Sequence, residues 1–404
     1  MESRIVIAGA GHAAGQLVAS LRQRHYPGEI VLIGEEPWLP YQRPPLSKKF
    51  LAGEMPGERL YVKPAAFYEQ PRTTVMLGTR IERVDRANKT LVGPGGRAVG
   101  YDKLVLAVGS RVRRLDLPGI GLEGIHYLRN IDDVRAIQSG MDAGKHLAIV
   151  GAGYIGLEVA AVASGLGMQV TVVELVDRVM KRVVCPPLSK FYAAEHRAHG
   201  VQILLDTGIE AFVGDGRVRG VLLADGGEIP ADLVVVGIGI VPNTELAAEA
   251  DLAVNDGIAV DESCRTADPD IFAVGDCTFH PNPIVGRGLR LESVHNALEQ
   301  ARIAAAVLCG ESVPAAEVPW FWSDQYDLKL QIAGVSQGYD EAIVRGDPKS
   351  RSFSAAYLRD GRIIALDAVS NPRDFLQAKK LIVEGARPDR GRLADAGLEL
   401  KALA

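Results

Sequence analysis

His146-Leu-Ala-Ile-Val-Gly151-Ala-Gly153-Tyr154-Ile155-Gly156 is an apolar, partly β-branched run that breaks into G-x-G-x-x-G. In that pattern the first glycine makes the tight turn out of a strand. The second lets the backbone approach a pyrophosphate, and the third allows close packing of helix on strand. Residues 157–163 then carry a helical pattern, and Gln169-Val-Thr-Val-Val-Glu174 returns as a strand ending in an acid. A carboxylate there accepts hydrogen bonds from ribose hydroxyls. The same unit opens the chain as Ile5-Val-Ile-Ala-Gly9-Ala-Gly11-His-Ala13-Ala14, followed by a helical pattern at 16–21 and a strand at 29–35 ending in Glu35. Ala14 replaces the commoner third glycine, a change that packing tolerates. Each loop aims the N–H groups and partial positive charge of a helix N-terminus at a phosphate. Two such loops imply two dinucleotides, a flavin and a nicotinamide cofactor, and hence redox chemistry.

The chain has 404 residues, room for two or three domains, with 47% hydrophobic residues and a net charge of −5. That balance gives no reason to expect nucleic acid or an anionic membrane as partner. The first strand begins within a few residues of Met1, leaving no space for a secretory signal. The longest apolar run, 233–242, is strand-length and broken by glycines, so a cytoplasmic location is expected. Four cysteines, Cys185, Cys264, Cys277 and Cys309, form no close pair. A flavoprotein that passes electrons to a disulfide places such a pair against the flavin. These four are therefore expected to be small buried hydrophobes. His196 and His199 share a helical spacing but have no evident third ligand, so no metal site is expected.

The expected fold is α/β, with two Rossmann-like nucleotide-binding domains and a C-terminal α+β domain. Residues 1–113 and 240–318 form a discontinuous first domain, 114–239 the second and 319–404 the third. The first domain resumes because Pro269-Asp-Ile-Phe-Ala-Val-Gly-Asp276-Cys reads as a short strand ending in an acid, with a helical pattern at 296–308 after it. A domain inserts into another readily at exposed loops. The third begins at Trp320-Phe-Trp322-Ser-Asp-Gln-Tyr326 and continues in alternating segments at 329–333 and 362–366.

Pro44-Pro-Leu-Ser-Lys48, Gly151-Ala-Gly-Tyr-Ile-Gly-Leu-Glu-Val-Ala160, Ala273-Val-Gly-Asp-Cys277, Glu292-Ser-Val-His-Asn-Ala-Leu-Glu-Gln-Ala301 and Pro319-Trp-Phe-Trp-Ser-Asp-Gln-Tyr326 together resemble the glutathione-reductase-like flavoproteins. Nearly the whole chain is similar, more closely, to the putidaredoxin reductase group of bacterial ferredoxin reductases. The resemblance implies FAD reduced by NADH, and single electrons passed to a [2Fe-2S] ferredoxin that feeds a haem monooxygenase or ring-hydroxylating oxygenase. It implies a monomer or homodimer. It places Gly9, Gly11, Ala13 and Ala14 at the FAD pyrophosphate and Glu35 at the adenosine ribose. Ile81 and Arg129 fall at the adenine end and outer part of FAD. Asp276 falls at the ribityl chain, and the Val294 N–H at the pyrimidine edge of the flavin. Arg43 and Trp322 fall on the flavin side. Gly151, Gly153, Tyr154, Ile155, Gly156, Glu158, Glu174, Arg182 and Gly239 fall at NAD. Lys48 and Glu158 form the implied catalytic pair, Lys48 near flavin N5 and steadied by Glu158. His295 stands where Pro or Gln is frequent.

Glu174 repels a 2′-phosphate and so selects NADH. Arg178, Lys181 and Arg182 read either as binders of such a phosphate or as a solvated face and pyrophosphate contacts. Lys63, Arg302, Lys379 and Lys380 fall around the implied flavin edge and form a basic rim for an acidic ferredoxin. Competing readings are a reductase for rubredoxin, a quinone-like molecule or oxygen, and an apoptosis-inducing-factor-like binding protein. A thiol-based oxidase is disfavoured, because the redox cysteine of that family falls on the loop occupied here by Gln42 and Arg43. The binding reading is disfavoured by the acidic charge balance.

Overall fold

Each nucleotide segment builds the central strand of a five-stranded parallel sheet in the computed structural model, which describes residues 3–403. The chain divides into two compact units. One comprises Met1–Arg43, Gly57–Arg111 and Val241–Pro319; the other comprises Pro44–Pro56, Val112–Ile240 and Trp320–Ala404.

In the first unit the strand Ile5–Ala8 lies between Ile30–Ile33 on one side and Lys103–Leu106 on the other. Thr73–Met76 and Ile271–Ala273 close the two edges, all parallel. Ile5, Val6 and Ile7 are fully buried, as an apolar run covered on both faces requires. The chain leaves the central strand toward one edge first and the other later. The turn after Ala8 therefore stands at a topological switch point, where a crevice opens at the carboxyl ends of the strands. The helix His12–Gln23 packs through Leu17, Val18 and Leu21 against Ala301, Ala304 and Ala305 of the helix Val294–Leu308. Alanines on that second helix let the two axes approach closely.

The second unit repeats the plan with His146–Val150 at the centre, flanked by Gln169–Val173 and Leu233–Val236. Gln202–Leu204 and Ile125–Tyr127 form its edges. The residues from Trp320 onward add a five-stranded antiparallel sheet, ordered Trp320–Gln325, Leu328–Gly334, Arg362–Val369, Phe353–Arg359 and Glu341–Arg345. The helix Pro372–Glu384 follows it, N-capped by Asn371, whose side chain accepts from the Asp374 N–H. Arg345 is 1% exposed. Its Nε donates to Asp374 Oδ2 at 2.9 Å, and its remaining N–H groups donate to the carbonyls of Leu393, Asp395 and Leu398. The segments at 329–333 and 362–366, expected from alternation, are strands.

Two buried titratable groups join the antiparallel sheet to the nucleotide sheet's helix Pro186–Ala198. His196 uses both ring nitrogens, Nε2 with Gln325 Oε1 at 2.8 Å and Nδ1 with the Tyr326 hydroxyl at 3.0 Å. An amide oxygen only accepts, so Nε2 carries the proton and Nδ1 accepts from the tyrosine. Asp367 is fully buried and accepts from the Tyr357 hydroxyl, which itself accepts from the Cys185 N–H at 2.9 Å. Burial pushes His196 down to about 4 and Asp367 up to about 7.

The two shifts act in opposite directions on stability. For His196 the folded value lies below the unfolded one, so stability is complete above about pH 6.5 and falls toward pH 4. For Asp367 the folded value lies above the unfolded one, so stability is lost as pH rises from about 4 through 7. Wild type is therefore expected to show a shallow net dependence over this range. Against wild type, His196→Gln gains stability progressively as pH falls below 6.5. Asp367→Asn gains it as pH rises from 4 to 7. Thermal unfolding of the three proteins at pH 4.5, 6 and 7.5 checks this; parallel curves exclude it.

Candidate active site and two dinucleotide loops

Gly9 and Gly151 occupy equivalent places, at φ +107° and +103°. A Cβ on Gly9 would lie 2.3 Å from the Ala107 carbonyl oxygen, and one on Gly151 would lie 2.6 Å from that of Gly237. Both turns exclude a side chain by conformation and by space. At Gly11 and Gly153 a Cβ would meet nothing within 4 Å, and neither residue caps its helix with a side chain. Each helix thus presents uncapped N–H groups to an open side, the arrangement a pyrophosphate fits. The third positions differ. A Cβ on Gly156 would lie 2.1 Å from Gly151 O, whereas Ala14 is fully buried with its methyl accommodated in the core. The alanine of the first loop is thus explained by packing.

Around the first loop the unit gathers most of the residues expected there. Glu35 is exposed beyond the second strand, 3.4 Å from Arg80. Arg43 reaches back to Glu36 Oε1 at 2.7 Å and donates to the Tyr41 hydroxyl at 2.9 Å, while that hydroxyl donates to Glu36 Oε2 at 2.5 Å. Asp276 Oδ2 accepts from Ser110 Oγ at 2.8 Å. Its turn is held by Gln300, whose Oε1 accepts from the Gly275 N–H at 2.7 Å and from Thr278 Oγ1 at 2.9 Å. Val294 begins its helix after Ser293, whose side chain caps the Asn296 N–H. Ile81 packs half-buried against the core. His295 Nε2 lies 3.1 Å from Glu317 Oε2.

Around the second loop, Glu174 Oε2 accepts from the Ala152 N–H at 2.7 Å, and its Oε1 accepts from the Val176 N–H at 3.2 Å. The Glu174 carboxylate is thus fixed to the glycine loop itself. The Arg182 guanidinium approaches Gly239, 3.4 Å from where a Cβ would stand. Arg178 turns inward to Val184 O and Ser189 Oγ, and Lys181 pairs with Asp177 at 2.9 Å. Of the three cations read as possible phosphate binders, two have structural partners.

The expected pair of Lys48 and Glu158 meets within the second unit. Lys48 Nζ lies 2.7 Å from Glu158 Oε2. That oxygen also accepts from Ser47 Oγ at 2.5 Å, and Oε1 accepts from Ser323 Oγ at 2.6 Å. Glu158 is 2% exposed, so its charge is held by one cation and two hydroxyls in place of water. Sequence reasoning missed Ser47 and Ser323; both lie inside quoted motifs, but a serine between leucine and lysine, or between tryptophan and aspartate, carries no signal of its own. Arg129 and Trp322 also belong to this unit. Arg129 precedes the helix Ile131–Gln138, its N–H bonded to Asp133 Oδ2, and Trp322 packs near Trp320 and Phe321. Tyr154 stacks on Phe321 with centroids 4.8 Å apart.

No two cysteines are bonded, and Cys185, Cys264 and Cys277 are buried. Burial raises all four thiols, Cys277 to about 12. They are held as thiols and not as thiolates. No helix among the described residues is long and apolar enough to cross a membrane.

Two glycine loops opening uncapped helices, with a buried lysine–carboxylate pair, are the features of an oxidoreductase that uses two dinucleotides. Residues 3–301 match the family described as pyridine nucleotide-disulphide oxidoreductase, and residues 320–404 match the reductase C-terminal family. The chain belongs to the pyridine nucleotide-disulphide oxidoreductase family, and its cofactors are FAD and NADH. It is 46% identical over 401 residues to the 5,5'-dehydrodivanillate O-demethylase ferredoxin reductase subunit of a Sphingobium species, covering 98% of this chain and 97% of that protein. It is 40% identical over 403 residues to putidaredoxin reductase of Pseudomonas putida, covering 98% and 96%. The solved covalent complex of putidaredoxin reductase with putidaredoxin aligns at a TM-score of 0.97 and 40% identity, over 99% of this chain and 98% of that one.

On the expectation that Glu174 selects NADH, Glu174→Ala removes both the charge that repels a 2′-phosphate and the acceptor that ties down Ala152. The expected result is a rise of about tenfold in KM for NADH and a narrowed preference over NADPH, corresponding to about 1.4 kcal/mol of lost binding. Steady-state kinetics with both nucleotides check this. Equal use of NADPH by wild type would remove Glu174 as the selector.

Proposed function

We propose that this chain is an NADH-dependent ferredoxin reductase of the cytoplasm, which serves a haem monooxygenase or ring-hydroxylating oxygenase by reducing its [2Fe-2S] ferredoxin. The observation that carries the reading is the pairing of two dinucleotide loops with thiols that are all protonated. Electrons arriving from a nicotinamide have no cysteine relay to enter, so they leave for an external acceptor. The similarity over nearly the full length to ferredoxin reductases supports an iron–sulfur protein as that acceptor.

We assign three functional domains: residues 1–113 with 240–318 for FAD, 114–239 for NADH and 319–404 for the interface. Accepting a hydride and releasing single electrons is chemistry that bound FAD supplies. The chain's own residues bind and orient. Gly9, Gly11, Ala13 and Ala14 receive the FAD pyrophosphate, Glu35 the ribose and Asp276 the ribityl hydroxyls. Ile81, Arg129, Arg43, Val294 and Trp322 complete the FAD surroundings. Gly151, Gly153, Tyr154, Ile155, Gly156, Glu174, Arg182 and Gly239 hold NADH. Lys48 places a positive charge beside the flavin, and Glu158 holds Lys48 in position.

A basic rim formed by Lys63, Arg302, Lys379 and Lys380 steers the ferredoxin. Lys379 lies over the rings of Trp320 and Phe375 at 5.1 and 4.7 Å, and Lys63 over Phe67 at 5.7 Å, so aromatic faces hold both ammonium groups. Arg302 lies 3.9 Å from Glu317 and is half exposed.

NADH-driven cytochrome c reduction is expected to depend on an added [2Fe-2S] ferredoxin and to slow as salt rises, because steering is screened beyond about 8–10 Å. Arg302→Glu or Lys379→Glu should raise the ferredoxin KM and leave ferricyanide reduction unchanged. Turnover with rubredoxin but not with ferredoxin would replace the acceptor in this reading.

Each cysteine replaced singly by serine should retain NADH–ferricyanide activity within about twofold, since no thiol titrates near neutrality. A thousandfold loss in one variant that still binds FAD would reveal a thiol step.

A further inference from the structure

The helix His12–Gln23 begins with a side chain that the protein leaves unfinished. His12 is the first helical residue after Gly11, so its ring stands at the positive end of the helix, among N–H groups without intrahelical partners. Its Nδ1 is buried and makes no hydrogen bond within the protein. A buried polar atom in that condition costs stability unless something completes it. The open side of Gly11 is adjacent, and there a side chain would meet nothing within 4 Å. Two charges face the ring: Arg43, braced by Glu36 and Tyr41, and Asp276, bonded to Ser110. Burial and the Arg43 cation hold the ring below its usual range, with Asp276 partly opposing them.

We propose that His12 is a positioning residue for FAD: its Nδ1 addresses the cofactor's pyrophosphate and adds a titratable contact to the backbone cradle of Gly9–Ala14. The inference rests on the FAD assignment of the first loop. Ala13 and Ala14 are buried inward and offer the ligand nothing polar, so His12 is the residue in this loop whose side chain brings both a donor and a charge. Within the protein alone, burial and Arg43 favour the neutral ring. A bound pyrophosphate dianion counters both influences and draws a proton onto the imidazole. FAD binding therefore takes up a proton, and affinity rises as pH falls. Arg43, raised by Tyr41 and Glu36 beside it, stays a cation across this range and does not supply such a slope.

The test is FAD affinity, read from flavin fluorescence quenching as apoprotein is titrated between pH 5.5 and 8.5. Wild type should bind about tenfold more tightly at the acid end, the size of effect expected for one proton taken up over part of its titration. His12→Leu should bind about tenfold more weakly at pH 6 and lose the slope. His12→Asn, which keeps an amide donor near the Nδ1 position, should recover part of the affinity but remain flat. A His12→Leu protein with wild-type affinity and slope would overturn the proposal. Should His12→Leu fail to fold, a His12→Asn protein that keeps the wild-type slope overturns it equally. Failure of wild type itself to bind FAD would instead refute the FAD assignment on which the inference rests.

Discussion

The carboxylate of Glu158 is the point on which the second unit is built. Three donors from distant parts of the sequence, Ser47, Lys48 and Ser323, meet on its two oxygens. A buried charge tolerates no loss of partners, because removing one from such a pair costs about 3–5 kcal/mol. The proline-rich segment 44–56, the nucleotide helix and the first strand of the C-terminal sheet are therefore bound to a common register. This explains why Pro44–Pro56 belongs to the second unit although the chain on both sides of it belongs to the first. It also gives Lys48 a defined position without committing it to proton transfer.

What the sequence made legible follows from how local each signal is. The two glycine loops were readable because turn, close approach and helix start all fall within six residues, each with its own steric requirement. The strands were readable because parallel sheets covered on both faces demand uninterrupted apolar runs, as in 146–150 and 233–236. Glu174 was recognised from its place at a strand end, but its bond to the Ala152 N–H was not, since that depends on the return angle of the chain. Ser323 was invisible for the same reason: 165 residues separate it from Glu158. His12 carries no signal of its own in the sequence, because an unpartnered nitrogen is a property of the folded surroundings. Arg178 and Lys181 admitted two readings by charge alone, and the structure gives Arg178 inward partners and Lys181 a surface ion pair with Asp177.

The two loops solve one problem with different tolerances. In the first, the third position carries a methyl that the core accepts. In the second, the helix comes so close to its own turn that a single carbon would strike a carbonyl. The second loop is therefore the tighter of the two.

The buried guanidinium of Arg345 has a consequence for how the chain is made. Its acceptors are Asp374 and carbonyls at 393, 395 and 398, all synthesised after it. Domains form in the order in which the ribosome delivers them. Until the last residues emerge, closing the C-terminal sheet would enclose a cation that has Asp374 as its counter-ion but whose other N–H groups lack their acceptors at 393, 395 and 398. The charge thus acts as a check on completeness: a chain cut short before residue 393 retains every strand of that sheet yet cannot seal it, and is left open to the cell's proteases.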